Sequence, residues 1–418
     1  MKTRYMLIVL ALCLQHSCTE PPHCIDEGKV NNNKDINAFD NISPLLSIEY
    51  TATNTQGPVP IYGYNSSTLL IRTSYPEDGT HCFAGVSVDE EKVVWNLPNL
   101  HSNHFFRADG YMKDNLFVVM GTNQQYEDPN NATLYCYDIN TQTIVWSKDF
   151  WQYPRSWCGV VGHDEFCYHY ENRIDDSLLI KTNIRTGESV VLYKTPSYYA
   201  PTGTNPTIAT YGGNQYIVFY MWDLRKTYEE QNVVISVYNI TDNKLTYQDY
   251  LPSIQVLGIC VSQPKDDVVY INHGHIMHCF NYVEGKIVWS KGGFDYDLVP
   301  ELIVLDDGNV LRVAHAEMSY VNGKNGSVHW DIRYDETYND YEGTFDFLPM
   351  WTFVHNNLIY QSYDANIIEV RDTQRGTFMG SIKYEKQRFK PNVLPLKGVD
   401  GYYVATSNEI IKLPYVNY

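Results

Sequence analysis

One stretch returns seven times along this chain, and its return constrains the fold more than any other feature. Its clearest copy is His278 to Trp289: a strand, a tight turn at Glu284-Gly285, and a second strand ending in Trp289. Taking Asn281 as anchor and Trp289 as end, the same frame fits Ser87 to Trp95, Asp138 to Trp146, Asn183 to Val191, Asn239 to Tyr247, Asn322 to Trp330 and Asp372 to Gly380. The second turn residue is Gly187, Gly285, Gly326 or Gly376 in four copies and Asn243 in a fifth. These are residue types that tolerate positive φ, which a two-residue hairpin turn needs. Glu91 and Gln142 stand there in the other two, which predicts looser tips.

The unit ends fall at 95, 146, 191, 247, 289, 330 and 380. A strand-bearing repeat of roughly 40–55 residues builds a propeller or an array. Val93-Val94-Trp95 and Ile287-Val288-Trp289 do not alternate with polar residues, which predicts strands covered on both faces. The expectation is an all-β chain folded as a β-propeller of eight four-stranded blades, with seven as the alternative count. The eighth blade is read from the tail. Gly401 to Asn408 and Glu409 to Leu413 repeat the look of Asn357 to Tyr363 and Asn366 to Val370, and no fourth strand follows. Leu46-Ser47-Ile48-Glu49-Tyr50 is a clean alternating strand free to supply it. Pairing the N- and C-terminal strands then closes the ring and removes the open edge.

Ahead of that strand the chain reads as a leader and a spacer. Lys2 and Arg4 precede a short apolar run, Met6 to Leu14, too short to span a bilayer. The expected organisation is a signal peptide over 1–17, a polar tether over 18–44 and one propeller domain over 45–418. Ser17-Cys18 resembles the end of a bacterial lipoprotein signal, which makes Cys18 the lipidation residue. Plain secretion is the alternative. The formal charge of −18 argues against nucleic acid or anionic lipid as a partner. Membrane contact is therefore expected only through the lipid.

The frame resembles the quinoprotein-type (PQQ-like) β-propeller repeat, in which an apolar strand, an Asp, a Thr-Gly-like turn and a strand ending in Trp follow one another. Tyr135 to Asp138 with Ile144-Val145-Trp146 is one close copy, and Arg185-Thr186-Gly187 carries the typical turn. The resemblance implies fold more than function. The family includes PQQ-dependent dehydrogenases and lipoprotein propellers that bind other proteins. The adjacent cysteine pair common beside the quinone is absent, and no calcium-ligand set carries over. The expected cofactor is therefore none, with PQQ and calcium as the weaker readings. The expected role is a non-catalytic binding or scaffold protein at the cell envelope, anchored in the outer membrane. The alternatives are a glycan-binding or glycan-cleaving propeller and, second, a PQQ-dependent dehydrogenase.

The expected binding surface is one rim. Trp151, Tyr153, Trp157, Tyr296, Tyr334, Tyr338 and Tyr341 supply aromatic faces, with Asp335 and Asp340 among the nearby acids. Rings and carboxylates together suit either a carbohydrate or a basic protein partner. Cys158 and Cys167 flank a turn and form a candidate disulfide, and with His163 and His169 an alternative zinc set. His273, His275 and His278 lie around a strand tip, where imidazoles can meet a metal. Cys136 and Cys279 sit two before the anchor and read as buried packing residues.

Overall fold

The repeat needs partners on both sides of each sheet, and the architecture supplies them. The structure, a computed structural model, describes residues 44–49, 61–65, 67–74, 81–100, 105–122, 132–150, 159–173, 176–202, 204–225, 233–252, 259–294, 301–314, 317–333, 351–364, 367–384, 395–406 and 409–416. Its strands, numbered β1 to β33 in chain order, form eight antiparallel sheets arranged as the blades of a propeller, with no helix among the described residues. Blades 1 to 7 span residues 61–96, 105–150, 161–194, 199–250, 259–291, 301–333 and 351–383. Blade 8 joins β31 (Leu396–Lys397), β32 (Gly401–Ala405) and β33 (Glu409–Pro414) to β1 (Leu46–Glu49), its outermost strand. In blade 4 the innermost position is shared by two short strands, β14 (Tyr199–Pro201) and β15 (Thr207–Tyr211), along one partner.

Ile48 shows why the seam holds. It is fully buried with Tyr403, Ala405 and Ile410 of blade 8 and Leu69, Ile71, Ala84 and Val86 of blade 1. The N-terminal strand therefore completes one sheet and also fills the gap to the next.

The anchor residues close the turns. Asn281 Oδ1 accepts hydrogen bonds from the backbone of Val283 and Glu284. Asp138, Asn183 and Asp372 each do the same for the residues two and three further on. Ser87, Asn239 and Asn322 each take one such bond. Short polar side chains that bond their own backbone in this way favour turns over strands. The tip is a four-residue loop rather than a two-residue turn: Asn281 pairs with Lys286 across it. Its last residue is left-handed in every copy, and Glu91 (φ 54°) and Gln142 (φ 58°) adopt the same conformation as Gly285 (φ 65°). Those two tips are thus built like the others.

The end residues latch one blade to the next. Trp146 Nε1 donates to the carbonyl of Ile184, Trp289 to that of Gly323 and Trp330 to that of Thr373. In each case the acceptor follows the anchor of the next blade. The indole also lies on the next turn's glycine: Gly187 under Trp146, Gly326 under Trp289 and Gly376 under Trp330, with Gly285 under Tyr247. A Cβ on any of these four would stand 2.6–3.0 Å from a ring or aliphatic atom. The recurring Gly thus serves both the left-handed turn and the neighbour's aromatic ring. Trp95 has Gln142 ahead of it and lies instead over Gly85 of its own blade.

Two further expectations need correction. The runs ending in Trp are not covered on both faces: Val94, Val145 and Val288 are 39%, 45% and 47% exposed. They lie on the outermost strands, where a β-bulge leaves each of these three residues unpaired in the ladder. The doubly covered strands are the middle pair of each blade, such as β4 (His81–Ser87), buried throughout. In blade 3 the bulge falls two residues later, at Leu192, so Val191 pairs with Ile180 and is exposed. Tyr193, not Val191, packs inward there, against Phe219.

Candidate functional site

The predicted rim residues Trp151, Tyr153, Trp157, Tyr296, Tyr334, Asp335, Tyr338, Asp340 and Tyr341 lie outside the described residues, as do Cys18 and Cys158. The leader and tether over 1–43 lie outside them too. Cys167 is a buried thiol in the blade 2–3 core, its ionisation pushed up by burial. His163 faces Gln215 and Asp164, whereas His169 is buried against Thr182. Cys136 and Cys279 are buried as expected, each directly opposite a latch tryptophan.

The histidine tip is real, but its side chains diverge. His275 Nδ1 lies 3.0 Å from the carbonyl of Phe294, and His278 Nδ1 lies 2.8 Å from Ser290 Oγ. His273 is fully buried and neither ring nitrogen has a partner among the described residues. No group of three metal-ligating side chains occurs among the described residues. Burial holds both His273 and His278 down at about 4, and for His273 the neighbouring His278 adds to the effect. Burial holds His169 at about 4 as well.

These shifts set a pH dependence. Above the ordinary value of 6.5, folded and unfolded chains both carry neutral imidazoles, so the term is zero. Between about 6.5 and 4 the unfolded chain binds protons that the folded chain refuses, so stability falls as pH falls. Each histidine contributes at most about 3 kcal/mol by pH 4. Melts from pH 4.5 to 7 on His273→Gln should show a shallower acid slope than the parent. An unchanged slope would mean that His273 does not resist protonation in the folded state.

Beside these histidines, residues from two blades form a buried polar cluster that no spacing in the sequence announces. Arg312, on β24 (Val310–Val313) of blade 6, donates from Nε to Asn272 Oδ1 of blade 5 at 2.9 Å. Its guanidinium sits 4.7 Å over the Phe294 ring and 3.7 Å from Glu317, whose other oxygen accepts from Ser319. A buried charge so enclosed ties two sheets together, since breaking such a pair strands an ion in a low-dielectric interior.

A groove of about 710 Å³ lies between blades 6 and 7, partly along the inner wall. β23 (Glu301–Val304) of blade 6 forms one side and β27 (Trp351–His355) of blade 7 the other, with Lys397 of blade 8 at one margin. Glu301 accepts the backbone N–H of Thr352, yet burial outweighs that bond and pushes its carboxyl up to about 8. Asp306 and Asp307 stand at the other end, where Asp307 accepts from Tyr320 Oη at 2.6 Å and from Asn309. Lys397 Nζ donates to the carbonyl of Val354 at 2.7 Å. A second cavity of about 550 Å³ adjoins it, sharing Asn356, Asn357 and Gln374.

No protein-family model matches this chain, and no curated protein matches it in sequence. Solved structures do. The chain is similar to the computationally designed Ika8 protein, at 11% identity and a TM-score of 0.59, over 88% of this chain and 100% of that one. It is similar to BamB from Moraxella catarrhalis, at 9% identity and 0.57, over 90% and 100%. It is also similar to the Dos1 propeller, at 7% identity and 0.63, over 89% and 95%. At such identities these likenesses establish the fold alone.

Proposed function

We propose that this chain is an exported, lipid-anchored propeller of the PQQ-like repeat type that acts as a non-catalytic binding scaffold at the cell envelope. The observation that carries the reading is the place of β1. The N-terminal strand is the outermost strand of blade 8, so the described chain enters the ring at its circumference, at Pro44. The repeat frame and the likeness to BamB support the same reading.

In this reading Cys18 carries the lipid and the rim residues, Trp151 and Tyr338 among them, meet the partner. Cys18→Ala should move the protein from the membrane fraction to the soluble fraction with its melting temperature unchanged. Retention of the variant in the membrane would remove the anchor from the account. Trp151→Ala and Tyr338→Ala should weaken partner binding without lowering stability. If they lower stability alone, their role is packing.

A further inference from the structure

The groove between blades 6 and 7 goes beyond that reading, because it is a site of its own inside the ring. The groove, of about 710 Å³, runs along the inner strands and the turns of these two blades. It falls within the range that small ligands occupy.

The walls select among ligands by charge. Three carboxyl groups line the groove, from Glu301, Asp306 and Asp307, against the single ammonium of Lys397. That ammonium already donates to Val354. His355 is held toward its neutral form by burial and by Lys397, so it adds no balancing charge. Asp307 is fixed by Tyr320 and Asn309, while Asp306 is exposed on the turn. The second observation is independent of charge. Thr352 lines the same groove, is 1% exposed, and its hydroxyl has no partner among the described residues. A buried hydroxyl left unbonded is destabilising, and a ligand donor or acceptor would relieve that cost.

We propose that this groove binds an organic cation, an ammonium or guanidinium group, with Glu301 and Thr352 at its inner end and Asp306 at its mouth. The cation is carried either by a free amine or by a lysine or arginine side chain of a protein partner. The two sources share one chemistry. A cation entering beside Glu301 favours the ionised carboxylate, so binding expels the proton that burial keeps there at neutral pH. Affinity therefore rises between pH 7 and pH 9, and each bound cation releases up to one proton at pH 7. A neutral sugar in the same groove would show neither effect.

The test is isothermal titration calorimetry on the full chain with spermidine, with a lysine-bearing peptide and with a neutral trisaccharide, at pH 7 and pH 9. Buffers of different ionisation enthalpy count the protons. The expected result is spermidine binding that tightens with pH. Glu301→Gln keeps the shape beside Thr352 and should weaken binding at least tenfold. Asp306→Asn lies on an exposed turn, leaves folding intact and should weaken it several-fold. Binding of the peptide but not of spermidine, lost in Asp306→Asn, would support the site and assign the cation to a partner chain. No binding of either cation at millimolar concentration would overturn the proposal. So would binding unchanged in a folded Glu301→Gln or Asp306→Asn variant, or preference for the trisaccharide.

Discussion

Replacing Trp330 by Ala should destabilise the ring by about 3–5 kcal/mol, and the loss should be shared with the turn of the next blade. Trp330 is 8% exposed, its Nε1 donates to the Thr373 carbonyl at 3.0 Å, and its ring lies against Gly376. Removing the indole opens a cavity and leaves a buried carbonyl without its donor, two separate costs. Gly376→Ala should cost less by itself, about 1–3 kcal/mol. One part is the left-handed conformation at φ 70°. The other is a Cβ 3.0–3.1 Å from Ile332 and Trp330. In the double variant the contact with Trp330 vanishes, while the contact with Ile332 and the conformational part stay. A double-mutant cycle by urea unfolding should therefore return a coupling energy of about 1 kcal/mol. Strict additivity would mean that the two residues do not form one latch.

The second large effect concerns the seam. Ile48→Asp should destabilise the protein by at least about 4 kcal/mol. It removes a fully buried side chain that packs on two blades and sets a carboxylate in its place. The cheaper outcome for the chain is to release β1. That bares the outer edge of β33 along Glu409–Lys412, and an unpaired edge of this kind recruits other chains. The variant should therefore melt early and aggregate in proportion to concentration. A matched change at Val94, an exposed bulge residue, should shift stability by no more than about 0.5 kcal/mol. Similar losses at both positions would deny the seam any special role.

Much of this architecture was legible because its causes are local. An Asn or Asp that bonds the amides two and three residues on declares its turn without help from the rest of the fold, and so Asn183, Asn281 and Asp372 mark their hairpins correctly. Blade count followed from arithmetic on that repeat, and the missing fourth strand of blade 8 pointed to β1. Burial was misread where cause is not local. Val94, Val145 and Val288 suit a pleated strand wherever it lies, and only the position of that strand at the circumference shows that they face outward. The bulge is invisible for the same reason, and its later position in blade 3 misplaced the end residue at Val191 instead of Tyr193.

The candidate site was less legible still. Arg312 and Asn272 are brought together by adjacent blades 40 residues apart in sequence, so no spacing rule connects them. Glu301 and Thr352 meet across the inner wall in the same way. The aromatic residues expected at the rim, by contrast, stand out in composition, and their role rests on the proposal above.

The most direct test of the account is native-state hydrogen exchange across the ring seam. β1 is a structural member of blade 8, so its amides from Leu46 to Glu49 should be protected as strongly as those of β33. They should also open with the same denaturant dependence, because both strands part only when the ring unfolds. Rapid exchange of β1 while β33 stays protected would contradict closure of the ring by the N-terminal strand.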